Sequence, residues 1–183
     1  MKCKNCNNRI LKKVVEIGKQ PLSGFFYSTR KNKLKKYSLD LYKCDKCNLV
    51  QLNNLVDIKK MYGSHYGYQT AVSKMMILHL KEKIQRLKKI KLIKKGSKIL
   101  DIGSNDASFL KLFGNGYNLN GIDPSAKKFI SNYNGMNLIT EFFSRKNVLK
   151  KYKNKNIKFD LISSFAIFYD VENPNSFCQD IHR

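Results

Sequence analysis

Four of the five cysteines in this 183-residue chain fall into two Cys-x-x-Cys pairs, Cys3/Cys6 and Cys44/Cys47. A tight turn within such a pair presents two thiolates to one ion, and two pairs complete a tetrahedral zinc site. Four sulfur ligands leave no position for water, so the metal is expected to be structural. A redox dithiol, or two unrelated pairs, is the other use of the same residues. The second chemical stretch is Lys98-Ile99-Leu100-Asp101-Ile102-Gly103-Ser104-Asn105-Asp106, echoed by Gly121-Ile122-Asp123-Pro124-Ser125. Ile99, Leu100 and Ile102 read as a buried strand, Gly103 as a turn where a side chain would obstruct, and Ala107–Phe113 as the helix that follows. Asp123, twenty residues after Gly103, closes a second apolar run and is placed to hold the hydroxyls of a ribose.

A dinucleotide site wants Gly-x-Gly-x-x-Gly, its glycines leaving room for a pyrophosphate. Here one glycine is followed by Ser104, Asn105 and Asp106. Asp101 and Asp106 would repel a pyrophosphate, so the turn suits a nucleoside cofactor without phosphates. The candidate cofactor-binding residues are Asp101, Gly103, Ser104, Asn105, Asp123 and Pro124. An α/β strand whose aspartate merely caps a helix is the alternative.

These groups need elements to hold them. Val14–Gly18, Tyr37–Tyr42 and Leu49–Leu52 alternate as short strands, with a turn at Gln20–Phe26. Residues 1–58 thus form a small β module that core burial alone could not stabilise. Residues 59–97 form a connecting region. It opens on the glycine-punctuated, aromatic loop Met61–Thr70, too irregular for a helix or strand. Met75, Leu78, Ile84, Leu87 and Ile93 then recur at helical spacing, predicting one helix from Ala71 that Gly96 ends. Residues 98–183 continue as strands at Lys98, Tyr117–Ile122, Met136–Thr140 and Phe159, with a helix over Phe177–His182. The fold class is α/β: a zinc-bound β module, then a partial, doubly wound Rossmann-like sheet. Cys178 reads as a half-buried thiol.

The formal charge is +23, with 36 lysines and arginines against 13 acids. Only five of the cations are arginine, and the lysines are spread without interleaved aromatics, so a nucleic-acid partner is not expected. The same field would attract a nucleotide diphosphate. No apolar run is long enough to cross a membrane and no signal peptide is visible, so a soluble cytoplasmic protein is expected. Reduced thiols there favour metal over disulfide.

The row Ile-Leu-Asp-Ile-Gly-Ser-Asn-Asp with Gly-Ile-Asp-Pro-Ser resembles motifs I and II of class I S-adenosylmethionine-dependent methyltransferases. Ala107 departs from that pattern, which carries glycine there. Alanine costs little in a first helical turn and more if φ must be positive. Gly18-Lys19-Gln20-Pro21-Leu22-Ser23-Gly24-Phe25, with Leu39-x-Leu41-x-x-Cys44-x-x-Cys47-x-Leu49-Val50-Gln51-Leu52, resembles the zinc-binding domain of sugar C-methyltransferases. Asn48 replaces their usual glycine. Tyr66-Gly67-Tyr68-x-Thr70 resembles a segment of that family lying against donor and substrate.

The resemblance implies S-adenosylmethionine and structural zinc as cofactors, and a nucleotide-linked keto-sugar as substrate. It implies that Asp101 and Gly103 hold the donor's amino-acid end, Asp123 its ribose, and Phe142 its adenine, with Phe143 in reserve. Tyr66, Tyr68 and Tyr169 are substrate-side candidates, or they pack the junction between modules. The family's sheet continues beyond strand four into a domain bearing acid–base residues, so the catalytic groups are expected beyond Arg183 and the chain reads as C-terminally truncated. A zinc-containing RNA methyltransferase and a non-catalytic zinc module are the rival readings.

Overall fold

In the computed structural model, residues 1–22, 35–53, 56–63, 65–153 and 156–183 are described. The chain divides into two units, Met1–Gly67 with Tyr169–Arg183, and Tyr68–Phe168. In the first, β1 (Leu11–Val15), β2 (Lys19–Pro21), β3 (Lys36–Ser38), β4 (Leu41–Cys44) and β5 (Val50–Leu52) precede the single-turn helix α1 (Ile58–Met61). Strands β1, β4 and β5 form an antiparallel sheet in that order, while β2 pairs with β3. The expected strand over Tyr37–Tyr42 is thus two strands serving two sheets. The expected turn at Gln20–Phe26 lies largely outside the described residues.

The described residues of the first unit enclose almost no apolar interior. Among its described residues, the fully buried ones are Cys3, Cys44 and Gln51. The Gln51 amide acts as a surrogate peptide for the first knuckle, accepting the Lys4 N–H (2.9 Å) and donating to the Lys2 carbonyl (3.0 Å).

The second unit begins with a 3₁₀ turn, Thr70–Val72, and helix α2 (Lys74–Lys89), whose N-cap Ser73 accepts the Met76 N–H. Strand β6 (Lys98–Ile102), helix α3 (Ser108–Lys111) and strand β7 (Asn118–Ile122) follow. Next come a 3₁₀ segment (Pro124–Tyr133), β8 (Asn137–Ile139), α4 (Arg145–Tyr152) and β9 (Leu161–Ser164). The four strands are parallel, in the order β8-β7-β6-β9. Helix α5 (Pro174–His182) returns to the first unit, where Asn175 donates to the Asn5 carbonyl.

Sheet and helices close over a core that includes Leu80, Ile84, Ile99, Leu110, Phe113 and Leu119. One buried position in β7 is polar. Asn120 donates to the carbonyls of Ile99 and Asn118, both at 2.8 Å, and its oxygen accepts from Asn137 and the Tyr152 hydroxyl. Each of its hydrogen-bonding groups is paired, which burial requires.

Helix α2 differs from the sequence expectation in length and face. It has 16 residues and stops at Lys89, well short of Gly96. Lys91 adopts φ +55°, the Lys91 N–H bonds the Lys88 carbonyl, and the Leu92 N–H bonds the Leu87 carbonyl. That pair of bonds is a Schellman ending, which caps the helix and turns Ile93 into the core. Leu80 and Ile84 are buried, whereas Met75 (76%) and Leu78 (54%) are exposed. Cys178 is also exposed rather than half-buried.

A lysine at the left-handed residue of that ending carries a steric cost that glycine avoids. Lys91→Gly is expected to raise stability by about 0.5–1 kcal/mol, read as an upward shift of the thermal midpoint.

Candidate metal centre and cofactor crevice

The four cysteines converge. Their Sγ atoms all lie within 4.8 Å of one another, with Cys3–Cys47 at 3.5 Å and Cys6–Cys44 at 3.6 Å. Tetrahedral zinc with sulfur at about 2.3 Å sets its ligands about 3.8 Å apart, so the donor set fits that ion. The two knuckles share one backbone design. Asn7 bonds back to the Cys3 carbonyl and Asn48 to the Cys44 carbonyl, each at 3.0 Å. Both asparagines adopt positive φ, +60° and +62°. Asparagine tolerates the left-handed region better than most residues, so Asn48 in place of glycine leaves the second knuckle intact.

Strand β4 ends on Cys44, so the second knuckle is the turn of the β4–β5 hairpin, closed by the Cys44 N–H on the Leu49 carbonyl. The Cys47 backbone N–H directed at Cys44 lowers that thiol to about 6, and the Leu49 N–H lowers that of Cys47. Donors aimed at sulfur favour the thiolates a metal needs.

In the second unit, the carboxyl ends of β6 and β7 are level, Asp101 lying opposite Gly121 and Ile102 opposite Ile122. Gly103 turns the chain at φ +77°, where a Cβ would meet Ile167 at 2.6 Å. Asp123 then ties the turn to the next segment. Its Oδ2 accepts the Asn105 N–H (2.8 Å), and its Oδ1 accepts both the N–H and hydroxyl of Ser125 (2.6 Å each). Three of about four lone-pair positions on that carboxylate are therefore in use. Pro124 occupies the first turn of the 3₁₀ segment that Asp123 caps.

The Ser104 hydroxyl donates to the Tyr133 phenol (2.8 Å), which donates in turn to the Asn105 carbonyl (2.8 Å). Gly121 makes room for this pair, since a Cβ there would meet Ser104 Oγ at 2.5 Å. The Asn105 side chain faces a different segment. It donates to the Tyr68 carbonyl and accepts the Thr70 N–H, both at 3.1 Å, while Asp106 accepts the Ala71 N–H at 2.8 Å. Phe142 follows β8 half-buried, its carbonyl held by Asn147.

Asp101, Asp106 and Asp123 are all buried, at 3%, 3% and 8% exposure. None forms a salt bridge with a described residue. Asp101 receives the Ser163 hydroxyl at 2.7 Å from the register-matched position of β9. Burial pushes its carboxyl up from 3.8 to about 7, with the charge of Asp123 adding to the shift. At the end of β9, the buried Ser164 Oγ has no partner among the described residues. A buried acid with no ion pair among the described residues fits a cationic, hydrogen-bonding ligand and does not fit a pyrophosphate.

Of the tyrosine candidates, Tyr66 and Tyr169 belong to the first unit and Tyr68 to the second. Tyr66 packs edge-on against Tyr62 at 4.9 Å, and Tyr62 donates to Asp170 at 2.5 Å. A cavity of about 320 Å³ in that unit is lined by Val56, Asp57, Ile58, Asp170 and Glu172. Its carboxylates disfavour a phosphate-bearing ligand. Sequence reasoning missed Ser125, Tyr133, Ser163 and Ser164. Only Ser163 had a usable signal, being the residue that parallel pairing sets opposite Asp101.

Two outcomes follow. Chelation of zinc, or Cys44→Ala, is expected to unfold the β1-β4-β5 sheet, because the ion replaces a core and contributes on the order of 10 kcal/mol. Loss of the first unit's amide dispersion in NMR spectra, with that of the second unit retained, checks this. Ala107, fully buried, adopts φ +66° just before α3, the costlier of its two sequence-level possibilities. Ala107→Gly is expected to stabilise the second unit by about 0.5–1 kcal/mol in chemical denaturation.

Comparison with known proteins agrees with this geometry. Residues 3–62 match the family described as "Putative zinc binding domain", and residues 73–183 match the family described as "Methyltransferase domain". No curated protein matches the chain. A methyltransferase domain implies S-adenosylmethionine, and the cysteine cluster supports zinc. Among the described residues no helix is long and apolar enough to cross a membrane. With the second match covering more than half of the 183 residues, the chain belongs to the methyltransferase-domain family and carries a zinc-binding domain ahead of it.

Proposed function

We propose that the crevice at the carboxyl ends of β6 and β7 binds S-adenosylmethionine for methyl transfer to a carbon of a nucleotide-linked keto-sugar. One observation carries the cofactor assignment: three buried carboxylates, none ion-paired, in a chain of charge +23. A site whose carboxylates have no lysine ion-paired to them among the described residues suits a ligand that brings its own positive charge. When bound, the cofactor supplies a methyl group activated on a sulfonium.

The chain's own residues bind and orient. Asp101 and the Gly103 turn hold the cationic amino-acid end, with Ser104 and Asn105 shaping that turn. Asp123 accepts one ribose hydroxyl at its remaining lone pair, and a second once the Ser125 hydroxyl rotates away. Pro124 and Phe142 flank the adenine. Tyr66, Tyr68 and Tyr169 are assigned to the substrate side.

The sugar assignment rests on the resemblance of the Pro21-Leu22-Ser23-Gly24 and Tyr66-Gly67-Tyr68 stretches and on a lysine-rich surface that attracts diphosphates. These residues would hold the acceptor carbon in line with the donor methyl. Transfer would need a base for the proton beside the ketone, and the new C–C bond would form as the S–CH3 bond breaks, leaving S-adenosylhomocysteine. A cytoplasmic setting agrees with thiols kept reduced for metal.

Calorimetry on the zinc-loaded chain tests the cofactor. S-adenosylmethionine and S-adenosylhomocysteine are expected to bind, and Asp123→Ala is expected to weaken both at least about tenfold. Asp101 is neutral below about 7 and anionic above it, so affinity for the cationic donor should rise as pH passes through 7. Asp101→Asn should flatten that rise. The unliganded fold runs the other way. Its folded-state value lies above 3.8, so the stability tied to neutral Asp101 is complete below about 4 and lost as pH climbs through 7. Absence of binding by either compound would overturn the assignment.

A further inference from the structure

We infer that Asn105 and Asp106 are positioning residues that fasten the Tyr68–Val72 segment as a strap across the cofactor crevice, and that the strap must release for the cofactor to enter or leave. This rests on the reading of that crevice as the cofactor site. The geometry is local to the second unit. Asn105 grips Asp123 through its backbone N–H and reaches the segment through its side chain. The strap is therefore linked through one residue to the carboxylate assigned to the ribose. Its remaining anchor is Asp106, which spends one oxygen on the Ala71 N–H and the other on Ser108.

The strap's bonds to Asn105 and Asp106 run chiefly through its backbone: the Tyr68 carbonyl and the N–H groups of Thr70 and Ala71. To Asn105 the segment adds a side-chain contact from Thr70 Oγ1 at 3.5 Å. The apolar side chain next along, Val72, points out at 78% exposure. A segment held by a few partly buried hydrogen bonds and little apolar burial opens locally at far lower cost than the sheet beneath it. The turn is shaped for this grip. Asn105 at φ +47° and Ala107 at φ +66° bracket Asp106 with two left-handed residues, so that consecutive side chains both reach the strap.

The backbone permits a selective test. Thr70 is the first residue of a 3₁₀ turn, and Gln69 before it is extended (φ −134°, ψ 125°). Proline is tolerated after an extended residue at a helical N1 position, so Thr70→Pro deletes the N–H bonded to Asn105 with little other disturbance. Thr70→Ala removes the hydroxyl and keeps the N–H.

On the zinc-loaded full chain, hydrogen exchange at the Thr70 and Ala71 amides is expected to slow when S-adenosylhomocysteine is bound. Thr70→Pro is expected to release S-adenosylhomocysteine about fivefold faster in stopped-flow or surface-binding kinetics, with Thr70→Ala within about twofold of the parent. Exchange at residue 71 in the proline variant reports the strap directly, and an unchanged thermal midpoint shows that the fold survives. The inference is overturned if S-adenosylhomocysteine binds the parent yet leaves both amides unaffected, or if the proline and alanine variants release it equally. Failure of the parent to bind at all would strike the cofactor assignment first and remove the strap's role with it.

Discussion

A single carboxylate holds the second unit's working end together. Asp123 receives the glycine turn through Asn105 and the following 3₁₀ segment through Ser125, while its own N–H bonds the Ile139 carbonyl of the neighbouring strand. Two structural elements are thus indexed to one side chain, and a third to the backbone of the same residue. Asn105, pinned at its backbone, then has its amide free to reach a segment 35 residues earlier in the chain. Two roles compete for that aspartate: every lone pair that organises the loop is one fewer for a ligand. This economy explains why the site can be preformed, and why it leaves room for only one direct ribose contact until Ser125 moves.

The first unit solves its stability differently. It buries two cysteines and a glutamine where a larger domain would bury leucine and isoleucine. Its order must come from coordination, from the paired asparagines that allow each knuckle to turn, and from hydrogen bonds such as those of Gln51. A structural ion suits such a unit because it concentrates binding energy at one point.

What could be read from residues alone was whatever local chemistry dictates. The four-cysteine spacing implied a tetrahedral site, and the apolar run ending at Gly103 implied a parallel strand, because both signals lie within a few residues of their cause. Non-local contacts were not legible in the same way. Nothing near Asn105 announces that its side chain is taken up by another segment, since its partners there are backbone groups of Tyr68 and Thr70. Tyr133 reads as one aromatic in a polar stretch until the fold brings it beneath Ser104. The end of α2 was misplaced because a lysine rather than a glycine takes the left-handed residue. Helix α4 was missed because Arg145–Tyr152 buries only Val148 and so lacks a strong apolar period.

The amide of Asn120 has a consequence for how the sheet finds its alignment. If β7 slid by one residue against β6, this side chain would be driven into the place of Leu119, among hydrocarbon, with its partners Ile99, Asn137 and Tyr152 left behind. Strands rich in isoleucine and leucine would otherwise tolerate several offsets, because one apolar contact resembles the next. A lone polar tooth in an oily track makes the wrong offsets expensive and leaves one setting. It thereby decides, from the middle of the sheet, how far apart the Gly103 turn and Asp123 will emerge at its edge.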